Sequence, residues 1–166
     1  MGSDATLERK CSFLKKRTKK TFDNDPGRRN PRSHDMKAVL AACAAFLGGD
    51  MIWLFNTGGL YRHTLPPILA PHPVIWAGIA FYLVYLFGLT LFCVRPGLRD
   101  PWPCAVARGA LFGFVAYATY DLTNQATIAG WPVSITCLDL LWGTFLSGFA
   151  CLVGWFVGRF TDPERS

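Results

Sequence analysis

Charge is scarce in this chain, and most of it lies at one end. Only 17% of the 166 residues are charged, whereas soluble domains carry about 25%. Residues 36–166 hold seven Lys/Arg and six Asp/Glu, while residues 1–35 hold ten Lys/Arg and five Asp/Glu. This distribution excludes a soluble globular enzyme, a coiled coil and a disulfide-stapled secreted module.

Functional fingerprints are lacking as well. The sequence has no Walker loop, no GxSxG motif, no dinucleotide fingerprint and no CxxC pair. Carboxylates suit hard cations such as Mg²⁺, but His63 and His72 stand nine residues apart across prolines, without ligand spacing. We therefore predict no cofactor, no metal site and no nucleic-acid partner.

Apolar residues are abundant instead, at 51% of the chain, with six Trp and thirteen Phe. A transmembrane helix needs about 20 mainly apolar residues, and four segments qualify, separated by breaks rich in Pro and Gly. A soluble four-helix bundle would need a polar face on each helix, which the second and fourth segments lack. The sequence predicts an all-α fold, a polytopic four-helix transmembrane bundle over residues 36–158, with spans at about 36–56, 74–94, 104–128 and 133–158.

Two tails flank this bundle, a basic and disordered one over residues 1–35 and a short one over residues 159–166. Four spans place both termini on one side of the membrane, and basic loops stay in the cytoplasm. The opposite side has only Arg62. We therefore predict an integral membrane protein with both termini on the cytoplasmic side, or on the matrix or stromal side in an organelle.

The N-terminal tail contains a dense basic cluster. Near an anionic leaflet, each basic residue contributes about 1 kcal/mol of attraction. The plainer interpretation is a tail that only fixes topology, because topology alone needs such charges. The residues that would contact anionic lipids are Arg9, Lys10, Lys15, Lys16, Arg17, Lys19 and Lys20.

Three carboxylates lie inside the predicted spans, where ionisable residues are rare and indicate function by default. Asp50 and Asp121 each follow a basic residue by thirteen positions, which places both roughly 20 Å from the basic face. Asp139 precedes Arg159 by twenty positions, or roughly 30 Å on a chain that runs the other way. We predict that the three acids converge at a similar depth, in the half of the bundle away from the tail.

The helix faces favour this convergence. In the third segment, Asp121 follows Gly109 by twelve residues and Gly113 by eight, so all three share one face, and small residues four apart let helices approach closely. In the fourth segment, Asp139 shares a face with Gly143. Polar and aromatic residues accompany the acids, and Asp-x-x-Trp occurs twice. We therefore take Asp50, Asp121 and Asp139 as candidate catalytic residues and Tyr117, Tyr120, Asn124, Trp53 and Trp142 as candidate binding residues.

The ordered motifs resemble a known family. The chain reads YDLTNQAT from Tyr120, WP from Trp131 and DLLWGT from Asp139, after an Asp50-x-x-Trp53 element. Together they are similar to a small four-helix membrane family, catalogued mainly in bacteria as predicted membrane proteins of unknown function. The likeness covers about residues 36–158. It implies the four-helix membrane fold and points to the same three acids, but it implies no activity.

Three functions remain open at this point. The first is binding of, or catalysis on, a membrane lipid in a buried polar pocket near the non-cytoplasmic side. The second is a small proton- or cation-coupled transport protein. The third is an accessory or structural subunit of a larger membrane complex, or a homo-oligomer, in which buried Asp residues only fix helix register through bonds of about 0.6 kcal/mol. Clustering of polar residues at one depth favours a site.

Overall fold

The computed structural model of the chain describes residues 33–65, 72 and 74–161. The tail over residues 1–32, with its basic cluster, lies outside the described residues, as do residues 66–71, 73 and 162–166. The predictions of a disordered tail and of its contact with anionic lipids therefore fall outside the structure. Those residues of the cluster are Arg9, Lys10, Lys15, Lys16, Arg17, Lys19 and Lys20.

Four helices make up the described part of the chain, which contains no strand. This confirms the predicted all-α, four-helix fold. Three of the helices, the first, second and fourth, are long and apolar enough to cross a membrane. The four are α1 (Ser33–Thr64), α2 (Ile75–Gly97), α3 (Trp102–Thr127) and α4 (Val133–Thr161).

Helix α3 carries Arg108 and Asp121, and its last two turns are polar. For this reason its length and composition do not by themselves mark it as a span. Its 26 residues are nevertheless about 39 Å long, more than the roughly 30 Å of a bilayer core.

Helix α1 continues eight residues beyond the predicted end at Asn56. The polar residues there were expected to end the helix, but their side chains bond inside it. Asn56 Nδ2 donates to the carbonyl of Ile52 at 2.7 Å, and Thr57 Oγ1 donates to that of Trp53 at 2.7 Å. Because these bonds satisfy the polar groups within the helix, α1 extends to Thr64 and brings Tyr61 onto it.

Helix α2 also runs beyond its predicted end, to Gly97 rather than Val94. A π-helical stretch, Thr90–Val94, precedes Pro96. Proline lacks the N–H that a regular helical turn would use, and such wide turns let a helix absorb an irregularity without ending. The sequence pattern alone gave no sign of this turn.

Helix α4 lies at the centre, antiparallel to α1 on one side and to α3 on the other. The contacts with α1 run in opposite order along the two chains, from Gly154 near Ala38 and Ala42 to Trp142 near Asp50. Helices α1 and α3 barely touch each other. A space therefore remains between α1 and α3, next to α4.

The two ends of the bundle differ. We call the end where α1 begins and α4 ends the proximal end, and the opposite end the distal end. At the proximal half, α3 packs closely against α4. A Cβ atom on Gly109 would lie 2.5 Å from the carbonyl oxygen of Ser147, and a Cβ atom on Gly113 would overlap the carbonyl oxygen of Gly143. The predicted small-residue faces of the third and fourth helices are thereby confirmed.

Helix α2 contacts the other helices mainly through its proximal half, the π-helical stretch and the turn that follows. Its distal half, within Ile75–Leu89, exposes a row of large apolar side chains. In a membrane protein such residues meet lipid, so their exposure carries no penalty there. They are Ile75, Trp76, Ile79, Phe81, Leu83, Val84 and Phe87.

Candidate functional site

A cavity of about 630 Å³ lies at the distal end, with walls from all four helices. Drug-sized ligands occupy pockets of roughly 300–1,000 Å³, so this volume suffices for a small ligand or a lipid head with part of its chain. We call it the aromatic cavity, because nine of its lining residues are Trp, Tyr or Phe. It is lined by Asp50, Trp53, Leu54, Tyr61, Leu65, Gly78, Phe81, Tyr82, Tyr85, Ala116, Tyr117, Tyr120, Trp131, Asp139 and Trp142.

Asp50 on α1 is one of two carboxylates in the wall, and it is only 5% exposed. The Tyr82 hydroxyl of α2 donates to Asp50 Oδ2 at 2.6 Å, and the Trp142 indole of α4 donates to Asp50 Oδ1 at 3.3 Å. Each oxygen thus accepts one bond from a neutral aromatic donor. Asp50 thereby ties three helices together at the distal end.

Asp139 on α4 is the second carboxylate, at 8% exposure. The Tyr61 hydroxyl of α1 donates to Asp139 Oδ1. The Trp53 indole in turn donates to the Tyr61 oxygen at 3.4 Å. Asp139 Oδ2 makes no hydrogen bond within the described residues, so this carboxyl group, whose residue lines the cavity, has acceptor capacity left for a ligand.

The two Asp-x-x-Trp elements face each other across the α1–α4 interface. The Trp53 and Trp142 rings stack with centroids 4.3 Å apart and planes 10° from parallel. Trp142 donates to Asp50 directly, whereas Trp53 reaches Asp139 through Tyr61. Each tryptophan is therefore hydrogen-bonded, directly or through Tyr61, to the carboxylate of the other helix. Stacking of an aromatic pair stabilises the fold by about 0.5–1.5 kcal/mol beyond the burial of its surface. The recurrence in the sequence is a packing unit of two antiparallel helices.

Asp121 has a different setting. It is completely buried, yet it does not line the aromatic cavity. Neither of its carboxylate oxygens has a hydrogen-bond partner among the described residues, and the same holds for Asn124 Nδ2 one turn away. Asp121 lies near enough to Asp139 for the two carboxylates to interact, as Asp139 does with Asp50. The structure therefore places Asp50 and Asp139 on one cavity and Asp121 beside it.

The candidate binding residues also divide. Trp53, Trp142, Tyr117 and Tyr120 line the aromatic cavity, whereas Asn124 does not. The Tyr117 ring lies directly over Gly143, where there is no room for a Cβ. A glycine in α4 thus lets this ring settle against the helix and form part of the cavity wall.

Five aromatic residues in the cavity wall were not among the sequence candidates. Tyr61 was missed because α1 was expected to end at Asn56, although its spacing of four from Thr57 and eight from Trp53 is the signal of a continuing helix face. Gly130 adopts a φ of +78°, which favours glycine, in the turn that sets Trp131 at the cavity. The five are Tyr61, Phe81, Tyr82, Tyr85 and Trp131.

Tyr85 separates the cavity from the packed core. It is buried and stacks on Phe46 with centroids 4.6 Å apart. Its hydroxyl bonds the Ser147 hydroxyl of α4 at 2.7 Å. Below it lie Leu89, Cys93 and Leu146 of the core. The cavity therefore ends at Tyr85, whose hydroxyl is hydrogen-bonded to Ser147, and close-packed apolar residues follow beyond it.

The cavity wall is acidic and otherwise neutral. Among its described residues there is no Lys, Arg or His. The described part of the chain also contains no group of three or more His, Cys, Asp and Glu placed to hold a metal ion. What the wall offers a ligand is therefore carboxylate oxygens, phenol and indole groups, and aromatic faces.

Comparison with known protein families shows where this chain belongs. The family described as Predicted membrane protein (DUF2177) matches residues 36–156. This range begins near the start of α1 and ends inside α4, and it contains every residue of the aromatic cavity. No curated protein and no solved structure matches the chain.

Proposed function

We propose that this chain, which belongs to the DUF2177 family of predicted membrane proteins, binds a membrane lipid or a lipid-like amphiphile in the aromatic cavity. One observation carries the proposal: a cavity of about 630 Å³ combines apolar and aromatic walls with two buried carboxylates. Asp50 and Asp139 hold the polar head, and Trp53, Trp142, Tyr117 and Tyr120 surround it. The acyl chain follows the apolar wall toward the distal half of α2.

The distal half of α2 supports a path for such a chain. Phe81 and Gly78 belong both to the cavity wall and to the part of α2 that stands away from the other helices. An amphiphile can enter between helices from the bilayer only where they do not press together. At the proximal half the small residues close that route.

A pair of glycine variants tests the proposal. A Cβ on Gly78 or on Gly48 meets no atom within 4 Å, but only Gly78 lines the cavity. Gly78→Phe should fill the cavity and Gly48→Phe should not. The full chain is purified in nanodiscs of mixed lipid, and bound lipid is counted by native mass spectrometry.

Lipids at the outer surface of the protein are present in the parent and in both variants. The result is therefore the difference in the number of bound lipids between these three proteins. We expect the parent and Gly48→Phe to retain a lipid that Gly78→Phe loses. Equal retention by all three proteins would contradict lipid binding in the cavity.

The side of the membrane on which the cavity opens belongs to the same proposal. Lys37, Arg95, Arg99 and Arg159 lie at the proximal end, whereas Arg62 lies at the distal end. Basic residues favour the cytoplasmic side, so the termini face the cytoplasm, matrix or stroma and the cavity faces away. In a chain whose own cysteines are replaced, a cysteine at His63 should react only with a reagent applied from the non-cytoplasmic side. Labelling from within would reverse the orientation.

Asp121 favours a second candidate, a small proton- or cation-coupled transport protein. A buried carboxyl group without a protein partner can exchange a proton or a cation without first breaking a protein hydrogen bond. The test compares proton flux into proteoliposomes for the parent, Asp121→Asn and Asp121→Leu, with Asp100→Asn as the control at the proximal end. This candidate predicts flux in the parent and the control, and none in a folded Asp121→Asn. If Asp121→Asn matches the parent and only Asp121→Leu loses stability, Asp121 has a structural role.

A further inference from the structure

We infer that the aromatic cavity selects amphiphiles whose head is an ammonium group, either a protonated amine or a quaternary ammonium. The inference rests on the proposed function and names the ligand class of the same site. It follows from the charge of the cavity wall, from the aromatic rings beside that charge, and from the acceptor capacity that remains on the carboxylates.

The first step concerns charge. Asp50 and Asp139 are more than nine-tenths buried, and every hydrogen bond they accept comes from a neutral phenol or indole. A buried carboxylate is stable when an opposite charge accompanies it. No described residue of the wall supplies that charge. A cationic head would supply it, and an anionic head would add like charge to the site.

The second step concerns the rings. A cation is attracted to the face of Trp, Tyr or Phe within about 6 Å of the ring, and the attraction is stronger when both are removed from water. The Trp53–Trp142 stack uses one face of each indole, while Phe81 and Tyr117 contribute further rings to the wall. Carboxylates beside several aromatic rings form the usual surroundings of bound ammonium groups.

The third step concerns hydrogen bonding. Asp139 Oδ2 makes no hydrogen bond within the described residues and belongs to a side chain that lines the cavity. A protonated amine has N–H donors that can use this oxygen, whereas a quaternary ammonium has none and depends on the rings and the charge. Comparison of the two head types therefore separates the contribution of hydrogen bonding from that of the rings and the charge.

The experiment titrates the purified full chain, in micelles of a neutral polyoxyethylene ether, with amphiphiles that share one dodecyl tail and differ in the head. The heads are trimethylammonium, primary amine, maltoside and sulfate, and tryptophan fluorescence reports binding because Trp53 and Trp142 line the cavity. We expect both ammonium heads to bind at least about tenfold more tightly than maltoside, as about 1.4 kcal/mol requires. The sulfate should bind least.

Matched variants locate the effect. Asp50→Asn and Asp139→Asn should each remove most of the ammonium preference, while Asp100→Asn, at the proximal end and paired with Arg108, should leave it unchanged. Phe81→Leu should weaken trimethylammonium more than amine binding. Phe87→Leu, on the same helix but outside the cavity wall, is its control.

The outcomes separate this inference from the proposed function. If maltoside and ammonium heads bind equally, and Gly78→Phe weakens both, the cavity holds amphiphiles but the head class is wrong. If Gly78→Phe weakens none of them, amphiphile binding in the cavity is itself refuted. Should an Asp→Asn variant fail to fold, the ranking of the four heads on the parent chain still decides the inference.

Discussion

Helix α4 meets its neighbours in two different ways along its length. At the proximal half it contacts α1 and α3 through small residues, with Gly154 close to Ala38 and Gly109 close to Ser147. At the distal half it contacts α1 through Trp142, Trp53 and the two carboxylates. Small residues bring backbones together, whereas large rings hold them apart and leave space between helices. The difference shows how one bundle can be closed at one end and hold a cavity at the other.

The charges follow the same division. At the proximal end the exposed Arg108 pairs with the half-buried Asp100 at 2.7 Å, and the Arg159 guanidinium lies 5.1 Å from the centre of the Trp155 ring. At the distal end Asp50 and Asp139 have only neutral aromatic donors. At the proximal end a carboxylate thus has a cationic partner within the protein. The carboxylates of the distal end are oriented by the protein, and an opposite charge can come from a ligand.

The largest expected effect comes from breaking the proximal packing. Gly113→Leu places a side chain where the Gly143 carbonyl oxygen and the Ser147 hydroxyl already lie. Because both helices must shift, we expect a loss of about 3 kcal/mol or no folded protein. Thermal unfolding in detergent measures this, with Gly48→Leu as the control because its Cβ would meet nothing within 4 Å. A Gly113→Leu protein as stable as Gly48→Leu would refute close packing of α3 on α4.

A smaller effect is expected from the distal tryptophans. Trp53 and Trp142 stack and connect the two carboxylates, so Trp53→Leu, Trp142→Leu and the double variant form a double-mutant cycle. We expect a coupling free energy of about 1 kcal/mol. Phe145 and Phe149 stack at 6.1 Å on the exposed face of α4 and serve as the control pair, with less coupling. Independent effects of the two tryptophans would mean that they do not act as a unit.

The smallest effect is expected from a single distal hydroxyl. Tyr82→Phe keeps the ring and removes the donor to Asp50 Oδ2. A hydrogen bond between membrane helices contributes about 0.6 kcal/mol on average, so stability should fall by about that amount. Tyr120→Phe is the control, because the Tyr120 hydroxyl makes no hydrogen bond within the described residues. If both variants unfold at the same temperature, the Tyr82–Asp50 bond does not contribute to stability.

Much of the fold was predictable from the sequence because length and hydropathy define membrane helices. Segment length predicted four helices. The spacing of four residues predicted which glycines of α3 and α4 lie in the contact between these helices. The end of α1 was not predictable from polarity, since Asn56 and Thr57 bond their own helix. The π-helical turn before Pro96 was not predicted, because a proline usually ends or kinks a helix and the sequence does not show that this helix continues to Gly97.

The sequence predicted the depth of the three acids along the bundle, but not which of their side chains border the cavity. Counting residues placed Asp50 and Asp139 in the same half of the bundle, where both now line one cavity. The same count placed Asp121 beside them, and it is indeed buried near Asp139, but its side chain does not border the cavity. A shared helix face fixes which residues point inward, whereas the rotation of α3 against α4 decides which of them reach a particular space. That rotation is set by packing.

Photo-crosslinking of a bound amphiphile tests the central claim most directly. A dodecyl trimethylammonium analogue with a diazirine next to its head is bound to the full chain, irradiated and mapped by peptide mass spectrometry. If the amphiphile binds in the cavity, adducts form on lining residues such as Trp53, Tyr82 and Trp142. These adducts should be lost in Gly78→Phe and kept in Gly48→Phe. Adducts spread over exposed residues of both ends, such as Phe55 and Phe160, and unchanged in Gly78→Phe, would contradict a binding site at the distal end.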